Sequence, residues 1–277
     1  SKEMPMLPRQ IRSQKRTTMT KKNLANGDGA TTEQNLITPD WLSRSEIVLG
    51  KEGLNKLRNS HVLVVGLGGV GAYAAEMLCR AGVGKMTIAD GDIVNPTNKN
   101  RQLLALDSTM GKPKVEVMAA RIKDINPAME ITPLNEYIRD DRMIEILDQG
   151  FDYVVDAIDT LSPKIYLIYH TVRREMPLVS SMGAGGKFDP QQVRVADISQ
   201  TVNCGLARML RKKLHRLGIR EGFTAVYSPE KVDKSKVIPV TGETNKASRI
   251  GTISYMPAIF GLTCASVVIR DLTRNII

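Results

Sequence analysis

The stretch VLVVGLGGVGAYAAE, Val62 to Glu76, joins an apolar strand to an alanine-rich helix through Gly66-Leu67-Gly68-Gly69-Val70-Gly71. Glycines let the backbone approach a phosphate closely. The amides of the turn and the N-terminus of the helix can then hold that phosphate. The turn therefore predicts a nucleotide site at the end of a strand. It leaves open whether the phosphate belongs to a dinucleotide or to ATP.

Outward from this turn, apolar strands alternate with helical spacing. His61–Val65 reads as a buried strand, Val70–Arg80 as a helix and Met86–Ala89 as a second strand. Lys114–Asn126 carries Val117, Ala120, Ile122 and Ile125 at helical intervals and is stopped by Pro127. A strand near Ile131, a helix over Met143–Leu147 and a strand at Tyr153–Asp156 come next. Ser162–Glu175 is then helical and Leu178–Ser181 is a strand. This alternation predicts an α/β chain, a Rossmann-like doubly wound and largely parallel sheet covered on both faces. Ligands in such sheets bind beyond the carboxyl ends of the strands.

After Gly183-Ala184-Gly185-Gly186 the texture changes. Val193 and Val195 alternate as in a strand, a basic helix comes after them, Phe223–Tyr227 reads as a strand and Asp233–Arg249 as a polar loop. The C-terminal third is thus expected to extend the same sheet with additional strands and helices. Residues 1–39 are polar and aperiodic and read as a flexible tail. Residues 40–277 form a single α/β domain in this reading, with 193–277 as its substrate-side extension.

Composition narrows the partners. Of the 277 residues 42% are apolar, enough for a sizeable core, and 39 Lys and Arg against 29 Asp and Glu give a formal charge of +10. Such an excess suits a polyanionic partner. Cys79, Cys204 and Cys264 form no C-x-x-C pair, which argues against zinc and against a disulfide framework and fits a reducing cytoplasm. Arg9, Arg12, Lys15 and Arg16 give the start a transit-peptide flavour, but Pro5 and Pro8 break the helix that such a peptide needs. The uncharged stretch Ile253 to Ile269 falls short of a spanning helix and contains Pro257, so a core helix is expected and no stable membrane insertion.

Gly66, Gly68 and Gly71 satisfy G-x-G-x-x-G, and Asp90 ends the next strand where a ribose-binding acid belongs. Alone, these features favour a nicotinamide or flavin enzyme. The residues after Asp90 weigh against it. DGDIVNPTNKNRQ and GKPK place acids, asparagines, Arg101 and Lys114 close to the strand end. A triphosphate whose bond breaks needs that added charge and usually a metal. Asp159, just after the strand Tyr153–Asp156, can hold Mg²⁺.

In order, strand-G-x-G-G-x-G-helix, D-x-D, N-x-N-R-Q, G-x-x-K and DAID resemble the adenylating enzymes of the ubiquitin-activating type, which include those of molybdopterin and thiamine biosynthesis. The resemblance implies that Gly66, Gly68 and Gly69 approach the phosphates of ATP and that Asp90 binds the ribose, with Asp92 beside it in the cofactor set. It implies that Asn98, Arg101 and Lys114 contact the triphosphate and that Asp159 coordinates Mg²⁺. It also implies a homodimer in which Arg44 reaches the partner's ATP site.

The closing stretches SMGAGGKFDP, VADISQT, LARMLRKKL, VYSPE and GTISYMPAIFG resemble a narrower branch, the tRNA threonylcarbamoyladenosine dehydratases. The implied reaction uses ATP to activate the carboxylate of the threonylcarbamoyl group beside the anticodon, after which a ring closes. A tRNA substrate also suits the helix LARMLRKKLHRLGIR, where Leu206, Leu210, Leu214 and Leu217 make an apolar stripe. Arg208, Arg211, Lys212, Lys213 and Arg216 cover the rest and are expected to meet phosphates. Three alternatives stand beside this reading: an activator of a ubiquitin-like sulfur carrier protein, an NAD-dependent oxidoreductase and a nucleotide-binding scaffold. Among protein partners, a sulfur-transfer partner stays open alongside the homodimer. Cys204, just before the basic helix, reads as structural rather than as a carrier of a thiol intermediate. His61, His170 and His215 have no evident partner for catalysis.

Overall fold

A computed structural model describes residues 38–233, 235, 237–239, 248–274 and 276. The expected tail therefore lies, up to residue 37, outside the described residues. Seven strands form one sheet: β1 (His61–Val65), β2 (Lys85–Ala89), β3 (Glu130–Leu134), β4 (Tyr153–Asp156), β5 (Leu178–Ser181), β6 (Arg194–Asp197) and β7 (Thr224–Tyr227). Their order is β3-β2-β1-β4-β5-β7-β6, parallel except where β6 runs antiparallel to β7. The doubly wound, largely parallel sheet with C-terminal additions is the one the alternation predicts.

The helices are α1 (Ser43–Arg58), α2 (Gly71–Arg80), α3 (Lys114–Ile125), α4 (Asp140–Leu147), α5 (Leu161–Arg173), α6 (Gly205–Arg216) and α7 (Tyr255–Thr273). The period of two along β1 sorts its side chains between them. Val62 and Val64 enter one core with Ala74 and Leu78 of α2 and Phe260 and Val268 of α7. Leu63 and Val65 enter the other with Met143 of α4, Leu167 and Ile168 of α5 and Leu210 and Leu214 of α6. Burying each of these large side chains contributes about 1.5–3 kcal/mol, and both faces of the sheet are filled.

Topology fixes where a ligand can sit. From β1 the chain winds one way through β2 and β3, then returns to lay β4 on the other side of β1. Val65 lies beside both Ala89 and Asp156, and Asp156 beside Ser180, so β1, β2, β4 and β5 end at one level. The loops leaving those strands share an edge at the switch point, where open sheets bind ligands.

Four elements depart from the expectations. Helix α1 has no counterpart in the periodicity of the sequence; Gly50 kinks it at φ +69°, and Ile47 and Val48 point outward. Within the expected polar loop, β8 (Val237–Pro239) and β9 (Ser248–Ile250) pair antiparallel, a correction for the residues described there. The stretch expected to be short of a spanning helix lies in α7, which runs 19 residues and is long and apolar enough to cross a membrane. It instead packs Met256, Phe260, Cys264 and Val268 into the core, as a core helix does.

Candidate active site

Each glycine of the turn answers to a different neighbour. Gly66 has φ +92°, a left-handed conformation, and a Cβ there would lie 2.7 Å from the Ala157 oxygen. A Cβ on Gly71 would fall 1.7 Å from the Gly66 oxygen. Gly69 is backed by Pro257 of α7, 2.8 Å from a hypothetical Cβ, and by the Arg101 carbonyl. Gly68 faces open space, with the Gln102 amide 3.8 Å away as its nearest neighbour. Gly66, Gly69 and Gly71 therefore shape the turn, and Gly68 leaves room for a ligand. No side chain caps α2, so the positive end of its dipole is left at the turn uncompensated by a capping side chain.

Asp90 braces the turn. Its carboxylate accepts from the Leu67 amide (2.6 Å) and the Asp92 amide (2.8 Å), and each oxygen keeps a lone pair for a sugar hydroxyl. Burial pushes its pKa up, against the pull of Lys114 and the two amides. Asp92 accepts from Lys114 Nζ at 2.9 Å and from the Tyr137 hydroxyl. Lys114 opens α3 and is buried, so its charge is presented from behind Asp92. Donation to Asp92, with burial second, drives the Tyr137 phenol up to about 12. Sequence reasoning misses Tyr137, whose ring covers Gly91, because no motif includes it.

The loop after β2 delivers the cation. Arg101 Nη1 donates to the Thr97 carbonyl (3.0 Å) and the Asn100 side chain (2.9 Å), while the Arg101 carbonyl lies against Gly69. Asn98 Oδ1 accepts from the Asn95 amide at 3.0 Å and so caps its own short helix, leaving the amide nitrogen for a ligand.

Asp159 is exposed on the loop after β4. Beneath it sits a network that the sequence does not disclose. Lys164 of α5 and Asp156 of β4, both fully buried, meet at 2.7 Å. Ser180 donates to the same carboxylate at 2.6 Å. Asp156 also accepts from the Ile158 amide (3.1 Å), and Lys164 donates to the Ile158 carbonyl (3.1 Å). The pair grips Ile158 from both sides and so fixes the loop that carries Asp159.

Among the described residues no cluster of three His, Cys, Asp or Glu side chains could hold a metal ion. Mg²⁺ bound with a nucleotide needs only one or two carboxylates beside the phosphates and water, and a single exposed carboxylate at this edge fits that donor set. The cysteines are free and buried; burial raises the thiols of Cys79 to about 11 and Cys264 to about 12, as befits core residues.

The remaining predicted residues lie on α1 and α6. Arg44 is exposed on α1. On α6, Arg208, Lys212, Lys213 and Arg216 are exposed, whereas Leu210 and Leu214 are buried as the stripe requires. Arg211 differs: its guanidinium donates to the Thr201 carbonyl at 2.9 Å and to the Thr201 hydroxyl, tying α6 to the loop before it. His61 bonds Thr87 at 2.9 Å and has a structural place.

Residues 42–275 match the ThiF family. The chain is 42% identical over 241 residues to the tRNA threonylcarbamoyladenosine dehydratase of Bacillus subtilis, spanning 84% of this chain and 95% of the relative. Its fold is similar to that of the Escherichia coli tRNA N6-threonylcarbamoyladenosine dehydratase TcdA. In complex with ATP, that structure superposes with a TM-score of 0.78 at 34% identity over 87% of this chain and 98% of the other. In complex with AMP, the TM-score is 0.76 at 34% identity over 84% and 93%.

Proposed function

The chain belongs to the ThiF family, among its tRNA threonylcarbamoyladenosine dehydratases, and from this premise we propose that it cyclises threonylcarbamoyladenosine beside the tRNA anticodon at the expense of ATP. The observation that carries the reading is convergence. The turn at Gly68, the Arg101 loop, the Asp90–Asp92–Lys114 chain and the Asp159 loop leave adjacent strand ends at one edge, in a chain alike to the dehydratases over most of its length.

In this reading Gly66, Gly68 and Gly69 admit the phosphates, Asp90 takes the ribose, and Asn98, Arg101 and Lys114 face the triphosphate. A bound Mg²⁺, held by Asp159 and the phosphates, would neutralise charge on the leaving pyrophosphate. A carboxylate oxygen of the threonyl group attacks the α-phosphorus, and pyrophosphate departs. A nitrogen of the same substituent then attacks the acyl carbon, loses its proton and expels AMP, which carries off the carboxylate oxygen. Closure is intramolecular, so holding the substituent in place supplies much of the acceleration.

Arg44 completes a neighbouring site across a homodimer. Ile47 and Val48, exposed at 84% and 72% on the same helix, give that contact apolar surface. The exposed cations of α6 meet tRNA phosphates, and residues 193–277 form the tRNA side of the domain. The three free, buried cysteines suit a reducing cytoplasm. The test is incubation with ATP and Mg²⁺ together with modified tRNA, unmodified tRNA or a sulfur carrier protein. AMP release with modified tRNA alone is expected; release with the carrier alone would assign the chain to carrier activation.

A further inference from the structure

The carboxyl edge also holds a concavity lined by none of the residues assigned above to ATP. It measures about 790 Å³, within the range of small-ligand sites. It opens beyond β5, the strand next to β4, between Gly183–Gly185, the start of α6 and the segment around β8 and β9. Its described lining includes Lys187, Arg208, Arg211 and Lys231 and no acid. Lys187 donates to the Glu230 carbonyl and Arg211 to Thr201, so Arg208 and Lys231 are the cations left for a ligand. Val232, Val237 and Ile250 supply an apolar wall.

This concavity is roped to the ATP edge. The Asn100 side chain, next to Arg101, donates to the Thr252 carbonyl at 2.9 Å. Gly186 donates to the Gly251 carbonyl at 2.8 Å, and Gly185 approaches Ile250 so closely that a Cβ would lie 3.1 Å away. One segment, 250–252, thus forms a wall of the cavity and a strut of the loop that faces the triphosphate.

We propose that this cavity receives the modified nucleotide of the tRNA, extruded from its loop, with the base against Val232, Val237 and Ile250 and a flanking phosphate on Arg208 and Lys231. The proposal rests on the dehydratase reading and locates its substrate. Chemistry on a base requires taking it out of the stack, and single-stranded RNA is read by such pockets. An apolar wall beneath a cationic rim matches one nucleotide rather than a polyanionic surface alone.

The experiment uses the full chain carrying Val237→Trp, which fills the cavity, and separately Lys231→Glu, an exposed rim change that keeps the test open if the first variant misfolds. KM for modified tRNA and the Kd for ATP are measured for each. Loss of one base's apolar contact and of a phosphate contact is expected to raise KM about tenfold or more, with the ATP Kd unchanged. Wild-type KM in both variants overturns the proposal while leaving the dehydratase reading intact. A weakened ATP Kd in Lys231→Glu, a rim change outside the 250–252 strut, also overturns it, by giving the cavity to ATP. If the wild-type protein releases no AMP with modified tRNA, the dehydratase reading falls and takes the subsite with it.

Discussion

Replacing Lys164 by methionine removes one half of a fully buried charge pair. In the native protein Lys164 neutralises Asp156 at 2.7 Å and shares with it the job of holding Ile158. The attraction within such a pair is largely offset by the loss of water around both charges. Removing one partner is different, because it strands a carboxylate at zero exposure. That costs about 3–5 kcal/mol, a large part of the roughly 5–15 kcal/mol that holds a domain together. For a chain of this size each kcal/mol moves Tm by about 2–4 °C, so a fall of roughly 6–20 °C is expected. Adding Asp156→Asn removes the stranded charge and keeps an acceptor for the Ile158 amide, so the double variant should recover most of the loss. Activity should not recover with it. Neither replacement restores the two-sided grip on Ile158, and a misplacement of about 1 Å at Asp159 is enough to slow turnover about 100-fold. Urea melts and AMP release on the four proteins of the cycle separate the two effects. A Lys164→Met variant as stable as the wild type, or two substitutions whose effects simply add, would refute the reasoning.

The geometry sets three further outcomes. Gly66→Ala combines a left-handed backbone cost of about 1–2 kcal/mol with an overpacking cost of about 1–3 kcal/mol against the Ala157 carbonyl, so its urea midpoint should fall well below that of Gly68→Ala, where the space is open; equal midpoints would show that the turn is not so constrained. Both His61 and His170 have pKa values below 6.5, lowered first by burial and then by Lys85 and Arg174 respectively. The unfolded chain therefore binds more protons than the folded one, so this share of stability is present above pH 6.5 and is lost as pH falls through the folded values. Chemical melts down this range should show a falling midpoint and a shallower fall in His61→Asn; an unchanged slope in the variant would mean that His61 contributes nothing to it. Arg44→Ala and Lys114→Ala, each inactive alone, should regain activity when mixed, because a heterodimer carries one intact composite site; no regain on mixing would place Arg44 outside the partner's site.

Much of this arrangement is legible in the residues. The strands at β1, β4 and β5 are readable because short apolar runs end abruptly in glycines or acids. The order of the strand-end motifs is enough to bring Gly68, Asp90, Arg101 and Asp159 to one edge, since the bounds of parallel strands fix where their loops emerge. Helix α1 escapes because Gly50 interrupts its period and Ile47 and Val48 lie on the outside, where a core-facing stripe would not put them. The pairing of Lys164 with Asp156 escapes for another reason: it joins a strand end to the first turn of the next helix, and only the fold shows that water is excluded from both. Arg211 looks like its neighbours on α6 by type and spacing, yet Thr201 claims its guanidinium. The cavity beyond β5 is assembled from segments far apart in the chain, and although SMGAGGKFDP and LARMLRKKL each mark the family, neither shows by itself that the two meet around one cavity.

The proposed reaction splits ATP to close a ring on tRNA. Its most direct measurement takes one modified tRNA with ATP and Mg²⁺, counting AMP and weighing the nucleoside released from the RNA afterwards. The expected result is one AMP for each modified adenosine that loses one water, with AMP release absent when the tRNA lacks the modification. AMP formed without any change in the nucleoside, or a dehydrated nucleoside formed without ATP, would contradict it.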